Sequence, residues 1–211
     1  MFFNIHTHCF DEKSVCVLNC TPDDYREKQQ AYPFELMSLG IHPQNIKKDI
    51  SNELYFLKEQ IHEQNVVAVG ECGLDIYADV ERQENIFIRQ IEISETCRKP
   101  VIIHCVKMHN ELIRLKKRYN PKMPWIIHGY RGNEHITEQL LVHDFYLSYG
   151  KNIHSKSLQM TPLDRIFFET DDADISISTV YKNAAEVLQS ASEDLCRRIE
   201  NNFKNVFRSN I

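Results

Sequence analysis

Eight short apolar runs punctuate the chain: FFNIHTH, SVCVLNC, FELMSLGIHP, VVAVGECGLD, PVIIHCV, PWIIHGY, FYLSYG and RIFFETD. Between the later runs lie segments with apolar residues at helical spacing: Ser51 to Gln64, Glu84 to Arg98, Asn110 to Tyr119, Asn133 to His143 and Ser178 to Gln189. A last helix is expected over about Ser192 to Phe203. Strands that alternate with helices predict parallel strands joined by right-handed crossovers. Eight of them fit an α/β fold of the TIM-type (β/α)8 barrel class better than an open sheet. The first βα units are abbreviated. About five residues separate the first run from SVCVLNC, and a crossover helix takes a dozen or more. The second strand is therefore expected to be irregular, or antiparallel to its neighbour.

Nothing divides the chain. Its 211 residues, 42% hydrophobic and 26% charged, suit one domain spanning 1–211, with no repeat, low-complexity tract or Gly/Ser linker. A net charge of −5 gives no general affinity for nucleic acid or membranes, so any polyanion contact needs a local patch or a metal. The seven cysteines contain no CxxC pair, and the first residues show no basic leader. No run approaches the roughly 18 apolar residues of a membrane span. Reduced thiols, a cytoplasmic location and no membrane partner are the expectation.

The polar residues of the strands are not scattered. His6 and His8 end the first strand, two apart and hence on one face. His42, Glu71, His104 and His128 end later strands, and Asp171 follows the last. In an α/β barrel these carboxyl ends converge on the active face. His6, His8, Glu71, His104, His128 and Asp171 supply four imidazoles and two carboxylates, a donor set for one or two divalent ions. Cys9, Cys72 and Cys105 each follow one of these residues and are expected to point outward, as small apolar residues of the outer core.

Taken in order, HTH, GIHP, GECGLD, PVIIHC, IIHGY and ETD resemble the TatD family of metal-dependent hydrolases in the amidohydrolase-like superfamily, from Asn4 to about Asp172. The resemblance implies a TIM-type barrel that hydrolyses phosphoester bonds as a metal-dependent deoxyribonuclease. It implies one ion on His6, His8 and Asp171, a second on His104 and His128, and Glu71 bridging the two. The identity of the ions, Zn, Mn, Mg, Fe or Ni, stays open. Asp171 and Glu71 are the implied catalytic residues, with Asp171 orienting a water or taking its proton. His42 matches a position near the pocket rather than a ligand, and Glu169 one that supports the ligands.

The chain also departs from the family pattern. Asn4 stands where members commonly carry Asp, Lys107 lies where an arginine is usual, and an acidic Asp172-Ala173-Asp174-Ile175 replaces the usual loop after ETD. His42, Arg131 and Lys107 are the substrate-binding candidates, with Lys151 a further basic residue. The run Arg114, Lys116, Lys117 and Arg118 is expected to be a solvated helix face. The implied partner is DNA or a small phosphoester, with no obligate protein partner evident. Two alternatives are a metallohydrolase acting on a small phosphoester, ester or lactone, and a noncatalytic metal-binding protein.

Overall fold

The eight apolar runs become eight strands in the computed structural model, which describes residues 1–207. In chain order the elements are β1 (Phe2–Thr7), β2 (Ser14–Cys20), α1 (Tyr25–Ala31), β3 (Leu36–Leu39), α2 (Ser51–Gln60), β4 (Val66–Asp75), α3 (Val80–Cys97) and β5 (Val101–Val106). They continue with α4 (His109–Tyr119), β6 (Trp125–Ile127), α5 (Glu134–Val142), β7 (Phe145–Tyr149), α6 (Ser155–Met160), β8 (Ile166–Phe168), α7 (Ile177–Leu188) and α8 (Ser192–Phe207). The strands form one sheet in the order β1 to β8. That order, with helices between strands, is the TIM-type (β/α)8 barrel class. Two compact units can be distinguished: Met1–Leu18 together with the chain from Ile126 onward, and Asn19–Trp125.

In the first unit, β2 is irregular, one of the two expected alternatives, and not antiparallel, the other. It pairs parallel to β1, with Phe2 opposite Ser14 and Thr7 opposite Leu18, across one register shift. The reason is reach. Residues 8–13 form the link; a chain of that length reaches at most roughly 20 Å, enough to run back along β1 without a helix and still close a turn in which Ser14 N donates to Asp11 O at 3.2 Å. At the other edge, Thr7 bridges Asp171 in parallel, and β7 pairs with β8. Helices α7 and α8 close over these strands. The Tyr181 hydroxyl accepts from Phe3 N at 3.2 Å and donates to Phe3 O at 3.0 Å. The Phe203 ring lies 5.1 Å from that of Phe3, and Asn202 donates to the carbonyls of Leu163 and Ile166. Strand runs with apolar residues on both faces need such cover on the outside.

In the second unit, β4 is buried along its whole length and pairs parallel with β3 and β5. The glycines of its GECG stretch follow from close approach. A Cβ on Gly70 would sit 2.5 Å from Ile102 O, and one on Gly73 would sit 2.1 Å from His104 O, with φ at +149° and +144°. Helix α3 starts where the Asp79 carboxylate accepts from Arg82 N and ends at Arg98 in the left-handed region, just ahead of Pro100. Helices α1 and α6 were not foreseen; at seven and six residues they are too short for a clear period. α1 is anchored by Asp24, which accepts from Thr21 N and Oγ1 and pairs with Lys28 at 2.8 Å. Lys28 also donates to Asn19 O at the end of β2.

Of the cysteines expected in the outer core, Cys72 is buried and Cys105 half-buried, its thiol pushed up to about 12 by burial. Cys9 is exposed, correcting the expectation. It lies beyond the end of β1, where strand alternation no longer sets its direction. No helix among the described residues is long and apolar enough to cross a membrane.

Candidate metal-binding site

The first unit gathers His6, His8, His128, Glu169 and Asp171. Backbone bonds set the frame: Asp171 N donates to His6 O at 3.0 Å and His8 N donates to Asp171 O at 3.2 Å. Asp171 itself sits at φ 55°, a left-handed conformation that aspartate tolerates better than most residues. So held, its Oδ1 lies 3.4 Å from His6 Nε2 and 3.4 Å from His8 Nε2. Burial alone raises the Asp171 carboxyl, but bonds to His6 and His8 and the charge of His6 and His128 outweigh it and hold the group well below the usual carboxylate range. His128 Nδ1 lies 3.3 Å from Glu169 Oε1, which also accepts from Gly129 N at 2.6 Å. The other oxygen, Glu169 Oε2, is fully buried with no hydrogen-bond partner among the described residues. His128, Glu169 and Asp171 could together hold one ion, as could His6, His8 and Asp171.

The second unit gathers His42, Glu71 and His104. Glu71 is 7% exposed and doubly fixed by Asn19, whose Nδ2 donates to Oε2 at 3.1 Å and whose Oδ1 accepts from Glu71 N at 3.0 Å. His42 Nδ1 accepts from Gln44 N at 3.2 Å, so its proton sits on Nε2, which faces Glu71 Oε1 at 3.3 Å. A nitrogen carrying a proton is not a ligand, so His42 steadies Glu71 instead. His104 Nε2 faces Asp75 Oδ2 at 2.9 Å, and its Nδ1 faces Glu71 Oε1 at 3.0 Å. Burial alone raises the Asp75 carboxyl, yet bonds from Tyr77 N, His104 and Gln44 lower it below its ordinary range. With Asp75 ionised, Nε2 donates, which leaves Nδ1 and Glu71 Oε1 as two acceptors 3.0 Å apart. Such a pair needs a shared proton or a cation to hold it.

These observations fit divalent ions. The donors are imidazole nitrogens and carboxylate oxygens, the chemistry of Zn, Mn, Fe or Ni sites. An orphaned buried oxygen on Glu169 and facing acceptors at His104 and Glu71 are what a cation would satisfy.

Other predicted residues fall elsewhere. Lys107 donates to the Tyr77 hydroxyl at 3.3 Å, and Arg131 is exposed on the link from β6 to α5. Lys151, Asp172 and Asp174 are exposed. The basic face of α4 is solvated as expected, with Arg114 paired to Glu84 and Lys116 lying 5.7 Å over the Trp125 ring. Three contributors escaped the sequence: Asn19, Asp75 and Gln44. The first two had a signal, since Asn19 is the penultimate residue of SVCVLNC and Asp75 the last of GECGLD. Both are polar residues at the carboxyl ends of buried strands.

Asn4 proves to be a clasp. Its Nδ2 donates to Thr170 Oγ1 at 2.8 Å, and its Oδ1 accepts from Thr170 N at 3.1 Å, with the residue 1% exposed. Asn4→Leu is expected to lower stability by about 1–3 kcal/mol, because it strands the buried Thr170 groups. Asn4→Asp keeps the acceptor for Thr170 N and is expected to lose less. Thermal denaturation of the two variants measures this, and a leucine variant melting with the parent would rule the clasp out.

Comparison with known proteins leads to one family. The family described as TatD related DNase matches residues 11–208. A protein of Buchnera aphidicola subsp. Baizongia pistaciae named a metal-dependent hydrolase is 33% identical over 153 residues, covering 67% of this chain and 57% of its own. Against that relative the chain therefore spans little more than half the length. TatD of Escherichia coli K12, named a 3'-5' ssDNA/RNA exonuclease, is 25% identical over 181 residues, covering 77% of this chain and 70% of its own. Among solved structures, the TatD homolog YjjV of Escherichia coli K12 shares the fold, with a TM-score of 0.86 over 99% of this chain and 98% of its own at 20% identity.

Proposed function

On the premise that this chain belongs to the TatD-related DNase family, we propose that it is a divalent-metal-dependent hydrolase that cleaves phosphodiester bonds of single-stranded nucleic acid. The observation that carries this is a cluster of histidines and carboxylates in each unit. His6, His8 and Asp171 would hold one ion; Glu71 and His104 would hold another. Bound there, a divalent ion supplies Lewis acidity toward a phosphoryl group and acidifies water.

The chain's own residues do the positioning. Asn19 and His42 fix the two oxygens of Glu71, and Asp75 fixes the ring of His104. Carboxylates and amides in such supporting places set ligand orientation and basicity. Asp171, held ionised between His6 and His8, is placed to orient the attacking water. The name of the Escherichia coli relative supports a single-stranded nucleic acid as substrate. A cytoplasmic location suits the free thiols of Cys9, Cys72, Cys97, Cys105 and Cys196.

A second reading, a small phosphoester as substrate, is favoured by exposed Asp172 and Asp174 beside Asp171, since acids oppose a polyanion there. One experiment addresses both. Metal-stripped protein is expected to be inactive and to regain cleavage of a labelled single-stranded oligonucleotide on adding Mn2+, Zn2+ or Ni2+. Cleavage of small phosphoesters with no oligonucleotide cleavage would select the second reading. Inactivity on both, with no bound metal by elemental analysis, would sink the hydrolase assignment.

A further inference from the structure

A recess of about 450 Å³ in the second unit is lined by Pro43, Gln44, Ile46, Tyr77, Ala78, Asp79 and Arg82. Ligand pockets start at roughly 300 Å³, so one nucleoside-sized group fits it. Tyr77 is 74% exposed. A lone exposed aromatic means little by itself, but this one is built in place. The Tyr77 backbone N–H donates to Asp75 Oδ1 at 2.9 Å, Ile76 N donates to Val106 O at 3.2 Å, and Ala78 N donates to Asp75 O at 3.1 Å. Lys107 reaches the ring from the end of β5. Its Nζ donates to the hydroxyl at 3.3 Å and stands 5.7 Å from the ring centroid, and its backbone adopts φ 55°, uncommon for lysine.

The platform is tied to the proposed chemistry through one side chain. Asp75 holds the Tyr77 turn with Oδ1, while its Oδ2 receives His104 Nε2 at 2.9 Å and Gln44 Nε2 at 2.6 Å. Gln44 also lines the recess. The geometry points to Tyr77 and Lys107 as a nucleotide subsite, in which a base of the single strand stacks on Tyr77 and Lys107 contacts its phosphate. This rests on the phosphodiesterase reading and adds how that substrate is gripped. Any base presents a ring face and any nucleotide a phosphate, so the subsite holds a strand without reading its sequence. Stacking of one base is worth roughly 5- to 150-fold in affinity.

The test uses the full chain and two fluorescent single-stranded oligonucleotides, one normal and one abasic throughout. Binding is read by anisotropy in chelator, and KM and kcat with Mn2+. Tyr77→Ala is expected to weaken binding and raise KM for the normal strand at least about 5-fold, with kcat within about 2-fold. Tyr77→Phe is expected to match the parent, and the abasic strand to show no difference between parent and Tyr77→Ala. Lys107→Ala is expected to weaken both strands alike. A normal strand bound and cleaved equally by Tyr77→Ala overturns the subsite and leaves the phosphodiesterase reading standing. Equal loss in Tyr77→Phe, or on the abasic strand, overturns stacking. A parent protein that neither binds nor cleaves the normal strand overturns both proposals.

Discussion

Glu71→Gln is expected to lower divalent-dependent cleavage of single-stranded DNA by more than about 100-fold while leaving the melting temperature close to that of the parent. Glutamine keeps the shape and can still accept from Asn19 Nδ2, so the bonds that lock Glu71 in the middle of β4, rather than at the strand end expected for it, survive. What goes is the negative charge that faces His42 Nε2 at 3.3 Å and His104 Nδ1 at 3.0 Å. Removing a group that merely supports a metal ligand costs about 10- to 100-fold. A carboxylate proposed to touch the ion lies at or beyond that range. Initial rates across a Mn2+ titration, with circular dichroism of both proteins, measure the effect. A variant retaining half the parent rate would remove Glu71 from the machinery.

Trp125→Ala is expected to lower stability by about 3–5 kcal/mol, the usual loss for a large buried aromatic. Trp125 opens β6, is fully buried, and packs with Phe87 of α3 at 5.5 Å beneath the Lys116 ammonium of α4. Truncation removes the surface that α3 and α4 share and leaves a cavity too rigidly walled to collapse. For a chain of this size each kcal/mol moves the melting temperature by about 2–4 °C, so a fall of roughly 6–20 °C is expected by thermal denaturation. A shift under 2 °C would show that neighbouring side chains refill the space.

Much of the barrel was legible because its strands are buried on both faces, and short β-branched runs such as VVAVG bounded by glycine suit a covered strand. The later helices were legible from their apolar stripes. Two features were not. Helices α1 and α6 are too short to display a period, and the direction of β2 depends on whether a six-residue link can reach back along β1. That is a question of distance between strand ends, and composition is silent on it.

The candidate site divides along a similar line. His6, His8, Glu71, His104, His128 and Asp171 could be picked out one strand at a time because a polar residue on or just after a buried strand is costly without a task. Family resemblance then supplied roles for them. The sequence could not say that Asp75 spans His104 and Tyr77, that Asn19 grips Glu71 from both sides, or that Asn4 is spent on Thr170. Nor could it make His42, a residue placed near the pocket, the donor that faces Glu71, since that depends on a single N–H from Gln44. Donor types and the strands that carry them are local properties, written in residue identity and spacing. Which oxygen a ring nitrogen faces depends on groups brought together across about 30 positions, as His104 is to Asp75 at 2.9 Å and to Glu71 at 3.0 Å, and only folding makes those neighbours.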